Sequence, residues 1–350
     1  MPAERGRVRP SSGADVSTGS PRIVVAGAGS IGCFVGGQLA AAGADVRLLA
    51  RPRIRDELAA HGLTLSDRDG STVRIEAKDL VVGLDPAMLA DAEVVLVTVK
   101  SGATPEIAAS ILRHAPAGAT IVSLQNGVDN APILQDALPG RRVVAGMVPF
   151  NVAALGDGRF HRGTDGRVVI DASAAALAAT LATPRLPIAT HADMRAVAWG
   201  KLLLNLNNAL NALAGVPLRE EIANRDWRRV LAACIDEALA ALGAAGIRPA
   251  KVGALPPAMI PSVLRLPDPL FRVVAAAQLR IDPKARSSMF DDLAQRRITE
   301  IDQLQGRVVA LAAAQGTPAP VNRAVLVLVK AAEAKGAGSP RLTPSDIRAG

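Results

Sequence analysis

The sequence has little aromatic character. Aromatic residues make up 2% of the 350 positions, and tyrosine is absent. The core must therefore be built from Ala, Val, Leu and Ile, and recognition of nucleic acid by stacking bases on rings is not expected. Cysteine is almost as scarce. Cys33 and Cys234 give no disulfide framework and no paired zinc spacing, and they fit a reducing, cytoplasmic compartment. His61, His114, His161 and His191 are scattered without ligand spacing, so no metal is expected. No apolar run reaches the ~18 residues of a membrane span. Residues 1–20 lack the apolar centre of a signal peptide and read as a disordered extension. Basic charge is in excess, at a formal net +8, but it is not gathered into one run: Arg5, Arg7 and Arg9 sit in the Pro/Ser/Gly-rich extension and the others are scattered. That pattern reads as a solvated basic surface rather than a nucleic-acid footprint.

The chain is long enough for two domains, each with its own core. From Arg22 onward short β-branched runs alternate with helical stretches. The runs are "RIVVAGAGSIG", "DVRLLA", "EVVLVTVK", "TIVSLQNG", "RRVVAGMVPF" and "GRVVIDA", with helices expected around 105–113 and 131–137. Continuous apolar strands alternating with helices predict an α/β fold with a Rossmann-type doubly wound sheet. Near Arg195 the pattern becomes helical, with helices expected over 195–214, 226–245, 288–315 and 321–334. The expected organisation is a Rossmann-type domain over 21–190, an all-helical domain over 191–336, and a flexible tail over 337–350.

"GAGSIG" is a G-x-G-x-x-G spacing that follows a strand and opens a helix, the context in which it points to a dinucleotide. Gly27 permits the tight turn, Gly29 lets the backbone approach a pyrophosphate, and Gly32 lets helix and strand pack closely. Ala28, Ser30 and Ile31 complete the phosphate-facing turn at the helix N-terminus. The second strand ends without the acidic residue that would bind a ribose 2′-hydroxyl. Arg51 stands there instead, with Arg53 and Arg55 beyond it. A guanidinium suits a 2′-phosphate, so Arg51 predicts NADP(H), while Arg55 reads as a solvated charge and Arg53 is open between the two. Lys100 and Asn126 end two further strands, where open α/β sheets bind ligands. Taken alone, each is better read as a solvated strand-end charge and an Asn-Gly turn.

Lys201, Asn205 and Asn208 fall at i, i+4 and i+7 on one face of a Leu/Ala helix, beside an apolar stripe of Leu202, Leu206, Ala209 and Leu213. A lysine in such surroundings loses hydration and can become a proton donor near neutral pH. Further on, Ser288 reads as a helix N-cap with Asp291 at the third helical position. Ile298, Ile301, Leu304, Val308 and Leu311 form the expected core stripe of that helix, and Glu300 sits beside it, within reach of Arg296 one turn earlier.

With "GAGSIG", "VTVK", "LQNG", "WGKLLLN" and "SSMFDDLAQRRITEID" in order over residues 22–335, the chain resembles the ketopantoate reductase (2-dehydropantoate 2-reductase) family. The resemblance implies NADPH-dependent reduction of ketopantoate to pantoate, for pantothenate synthesis. It makes Lys201 the general acid, Glu300 a catalytic residue that also contacts the cofactor, and Asn205 and Ser288 substrate ligands. Lys100 and Asn126 would stand at the cofactor and substrate edge. Many family members carry another substrate asparagine eight residues after the lysine. Here that position is Ala209, with Asn208 as the substitute. The alternatives are reduction of a different branched 2-oxo acid and, in another class, an NADPH-binding sensor without catalysis. The expected partner is a small-molecule 2-oxo acid, with no nucleic acid and no membrane, and a homodimer is the assembly allowed for.

Overall fold

The computed structural model describes residues 20–275 and 285–348. In chain order its first part runs β1 (Ile23–Ala26), α1 (Ser30–Ala41), β2 (Val46–Leu49), α2 (Pro52–His61), β3 (Leu63–Ser66), β4 (Thr72–Ile75), β5 (Val81–Gly83), β6 (Val94–Val97), α3 (Thr104–His114), β7 (Thr120–Ser123), α4 (Asn130–Ala137), β8 (Arg142–Met147), β9 (Val152–Gly156), β10 (Arg159–Arg162), β11 (Val168–Asp171), α5 (Ala175–Leu181) and β12 (Ile188–His191). Helices follow: α6 (Met194–Asn205), α7 (Asn207–Ala214), α8 (Leu218–Ala223), α9 (Arg225–Ala244), α10 (Ile260–Leu264), α11 (Asp268–Val274), α12 (Ser288–Ala294), α13 (Gln305–Gln315), α14 (Pro320–Lys335) and α15 (Pro344–Arg348).

The strands order as β12-β11-β8-β7-β6-β1-β2-β5. Every pairing in this sheet is parallel except β8 with β11. Its central strands, "IVVA" and "VVLV", are buried on both faces, which is why they read as unbroken apolar runs. The chain leaves β1 toward β2 on one side and returns to β6 on the other. The switch point therefore lies between β1 and β6, where a crevice opens beyond the strand ends.

The alternation did not reveal a second sheet, β4-β3-β10-β9, which packs over α1. Two adjacent glycines let α1 lie between the sheets. A Cβ on Gly36 would stand 2.8 Å from Leu48, and one on Gly37 would stand 2.7 Å from Leu63. The strands β3, β4, β9 and β10 are short, and β4 and β9 carry mixed exposure, so they lack the apolar continuity that marks the main sheet.

The helical part has its own core, with Trp199, Leu203, Leu206, Leu210, Ile235, Ile301, Val308 and Val325 at its centre. Two expected helices are interrupted. The one over 195–214 breaks at Leu206, whose carbonyl accepts from Gln305 Nε2 (2.8 Å). The one over 288–315 stops at Ala294 and restarts at Gln305. Arg296 sits between them in the left-handed region at φ 55°, and Ile298, expected in the core, is 74% exposed.

The tail is corrected too. Leu342 N donates to Leu213 O (2.9 Å), and Ile347 of α15 is 2% exposed, so residues 337–347 are docked rather than free. The apolar Ile347 anchor outweighs the Gly/Ser/Pro composition that suggested fraying. The extension expected over 1–20 lies outside the described residues except for Ser20. Among the described residues no helix is long and apolar enough to cross a membrane.

Docking of the tail has a measurable consequence. Ile347→Ala should lower stability by about 2 kcal/mol or more in denaturant unfolding, as for other buried aliphatic truncations. A loss below about 0.5 kcal/mol, usual for surface sites, would mean that the tail is free.

Candidate active site

The glycine turn is built as the spacing requires. Gly27 has φ 110°, and a Cβ there would stand 2.6 Å from Val99 Cγ1. A Cβ on Gly32 would meet Gly27 O at 2.4 Å. Thr98 Oγ1 donates to that same carbonyl (2.7 Å), which ties the turn to the loop after β6. Gly29 differs: a Cβ there would meet nothing within 4 Å. Its missing side chain leaves open space in front of the N-terminus of α1, where no side chain caps the free N–H groups and no acidic residue sits in the first turn. Space, unpaired donors and the positive dipole end fit a pyrophosphate.

Arg51 is the residue before α2, at the end of β2, and is exposed. Arg53 pairs with Glu57 (3.0 Å) and Arg55 with Asp56 (2.5 Å). Arg51 has no side-chain partner among the described residues, so of the three guanidiniums it is the one left unpaired.

A small cleft lies where the helical part meets the carboxyl end of β7. Asn126, Asn205, Asn208, Ser288 and Glu300 all line it, together with Met289, Asp292 and Leu304. Five residues picked from separate stretches of sequence thus converge. Ala209 is fully buried in the helical core, while Asn208 reaches the cleft. Asn208 lies three residues after Asn205, on the same helix face, and shares the wall with it across the turn at Leu206.

Ser288 is not the N-cap it was expected to be. Ser287 caps α12, accepting from Phe290 N (3.1 Å). Ser287 is pinned from outside: its N donates to Asn211 Oδ1 (2.9 Å) and its Oγ to Asn208 O (2.9 Å). Those tertiary bonds fix the cap one residue earlier and leave Ser288 facing the cleft.

Glu300 does not pair with Arg296. Its Oε1 accepts from Ser101 N (3.2 Å) and Ser101 Oγ (3.0 Å), across the seam between the two parts of the chain. The break in the helix makes this reach feasible, and Thr299 anchors it by donating from N to Glu333 Oε1 (2.8 Å). Lys100 crosses the same seam to Asp292 Oδ1 (2.6 Å), a carboxylate that also holds Arg297 (3.0 Å). Sequence reading passed over Ser101, Asp292 and Asn130. Asn130 Nδ2 donates to Ser101 Oγ (3.0 Å) and to Asn126 O (2.5 Å), and its Oδ1 accepts from Thr104 (2.8 Å). The only signal for them was proximity to "VTVK", "LQNG" and "SSMFDD".

Lys201 is one turn before Asn205, but it is not among the residues that line the cleft. Its Nζ donates to Pro149 O (2.8 Å), on the loop after β8. Gly200 lets Ala250 press against α6: a Cβ there would stand 2.1 Å from the Ala250 carbonyl. Met147, Met194 and Val197, with Ala250 and Val252, form an apolar seam beside this turn. Desolvation pulls the ammonium down to about 8, with no carboxylate raising it. Of the two influences left open by sequence, burial is the one that acts on Lys201, a part-buried residue in this structure.

The family model "Ketopantoate reductase PanE/ApbA" matches residues 23–175, and "Ketopantoate reductase PanE/ApbA C terminal" matches 193–333. The 2-dehydropantoate 2-reductase of Halobacterium salinarum is 31% identical over 328 residues, covering 90% of this chain and 100% of that protein. A solved PanE/ApbA family ketopantoate reductase from Ralstonia eutropha JMP134 is 31% identical with TM-score 0.75, over 90% of this chain and 99% of the other. D-mandelate dehydrogenase, solved with NADH and anilino(oxo)acetate, has TM-score 0.75 over 90% of this chain and 99% of the other at 20% identity, a likeness of fold. Both halves match in order, and the relatives span nearly the whole chain: this protein belongs to the ketopantoate reductase family.

Proposed function

We propose that this chain reduces 2-dehydropantoate to pantoate with NADPH, a step of pantothenate synthesis, and that Lys201 is its general acid. The observation that carries the reading is the convergence of Asn126, Asn205, Asn208, Ser288 and Glu300 on one cleft, one helical turn from a desolvated lysine. The nicotinamide, when bound, supplies hydride to the carbonyl carbon. Negative charge then grows on the carbonyl oxygen, and a positioned ammonium stabilises it and donates the proton. Lys201 has three N–H bonds and spends one on Pro149, so two remain for a substrate. Asn205, Asn208 and Ser288 offer neutral donors to the carboxylate and hydroxyl of a small 2-oxo acid. Glu300 holds the start of the segment Ser101–Ala103 and so orders the seam on which cofactor and substrate meet. The turn Gly27 to Gly32 and Lys100 line the cofactor side. Arg51, unpaired at the end of β2, supports NADPH over NADH. The buried free thiols of Cys33 and Cys234 fit a cytoplasmic setting.

The direct test is oxidation of NADPH, followed at 340 nm, with ketopantoate and a panel of branched and aromatic 2-oxo acids. The expected result is the highest kcat/KM on ketopantoate. A higher value on another oxo acid would transfer the assignment to that substrate.

Lys201→Ala should lower kcat by about 10²–10⁴, the usual worth of a general acid, while NADPH affinity stays unchanged. A wild-type rate in this variant would remove Lys201 from the mechanism.

The pH dependence follows from burial of the same group. The acid works only while protonated, so kcat for reduction should be level below pH about 8 and fall about tenfold per unit above it. An ordinary lysine would hold the rate level to beyond pH 10.

For the cofactor, Arg51→Ala should raise KM for NADPH by about 10- to 100-fold, the usual cost of a charge-assisted hydrogen bond, and leave KM for NADH alone. Equal effects on both would place the 2′-phosphate elsewhere.

A further inference from the structure

Glu221 is an acidic residue in the helical core, 1% exposed, on the short helix α8. Among the described residues no cation is paired with it. The groups that face it are amides: Asn211 Nδ2 donates to its Oε2 (3.0 Å), and Asn207 Nδ2 lies at 3.4 Å from the same oxygen. Its other oxygen, Oε1, is buried without a partner, and so is Asn207 Oδ1. Two neighbouring buried acceptors without a donor are costly in this form. A proton on the carboxyl turns one of them into a donor.

The hydrogen bonds lead from Glu221 to the cleft. Asn211 donates a second time, to Val216 O (2.9 Å), and its Oδ1 accepts from Ser287 N (2.9 Å). Ser287 Oγ donates to Asn208 O (2.9 Å) and caps α12. α7 presents Asn208 to the cleft, and α12 presents Ser288, Met289 and Asp292 from the facing wall. The chain Glu221–Asn211–Ser287 is thus a polar tie between the two walls, beside the direct bond from Ser287 Oγ to Asn208 O.

We propose that Glu221 is a positioning residue for substrate: through Asn211 and Ser287 it fixes α7 against α12 and so sets the spacing of Asn208 and Ser288. This rests on the reading of the cleft as the 2-oxo acid site. Glu221 acts as a neutral acid, both donor and acceptor. Burial pushes its carboxyl up to about 8, against the pull of the two amides, which agrees with the orphaned oxygens. A glutamine has the same shape and the same donor–acceptor pair, so it can stand in for the protonated acid.

The test uses the full chain and two substitutions, Glu221→Ala and Glu221→Gln. Glu221→Ala should raise KM for the oxo acid about tenfold, with kcat within about threefold and NADPH affinity unchanged; Glu221→Gln should restore the wild-type KM. Hydrogen exchange gives a readout free of substrate: the Phe290 amide at the α12 cap should exchange faster in Glu221→Ala and return to wild type in Glu221→Gln. Should Glu221→Ala fail to fold, Asn211→Ala removes the next link, the acceptor of the Ser287 N–H, and is expected to raise KM in the same way. The wild-type rate on each oxo acid judges the function, whereas the ratio of variant to wild type, on whichever oxo acid is reduced, judges Glu221. An unchanged KM and unchanged exchange, an equal loss of NADPH affinity, or a Glu221→Gln variant that behaves as Glu221→Ala would each overturn the proposal.

Discussion

An ammonium taken out of water is the constraint on which the site depends. Lys201 sits where α6 meets the loop after β8, with Pro149 O as its hydrogen-bond partner and an apolar seam beside it. Burial of a cation without a counter-charge costs free energy unless the proton is held less tightly. On the proposed reading of Lys201 as the general acid, that cost is also what would suit the group to donate a proton near neutral pH. The surroundings are arranged to maintain it: Gly200 admits the Ala250 backbone against the helix, and Met147 and Val197 close the flank. A larger residue at 200 would push that backbone away and admit water.

The second requirement is that two parts of the chain, each with its own apolar core, present their side chains to one cleft. The doubly wound sheet supplies Asn126 from the end of a strand, with Ser101 holding Glu300, and the helical core supplies Asn205, Asn208, Ser288 and Glu300. Polar bonds cross the seam, Glu300 to Ser101 and Lys100 to Asp292, beside the apolar contact of Met147 with Met194 and Val197. Lys100 is half exposed while Asp292 is buried, so solvent screens that pair only in part. Both bonds fix the orientation of the two parts at the cleft.

Much of this was legible in the sequence, and the failures have physical causes. The central strands β1, β6 and β7 are buried on both faces, so their residues are apolar without alternation and announce themselves. The sheet of β3, β4, β9 and β10 is half-exposed and short, and local pattern carries no such signal. "GAGSIG" fixed the turn because backbone geometry permits little else there. Lys201, Asn205 and Asn208 were readable as a face, but the break at Leu206 was not, since it depends on Gln305 a hundred residues away. The cap at Ser287 was displaced by one residue for the same reason: its position is set by Asn211 and Asn208, not by the local propensity of two adjacent serines. Glu300 showed as a residue beside the core stripe, while its partner Ser101, from another layer, was invisible.

The measurement that bears most directly on this account is the titration of Lys201 itself, by NMR of protein labelled at the lysine side chains, with Lys201→Ala to assign the resonance. The account predicts a midpoint near 8, well below the other lysines. A midpoint near the ordinary 10.4 would mean that the ammonium is solvated, and the case for Lys201 as a tuned general acid would fall.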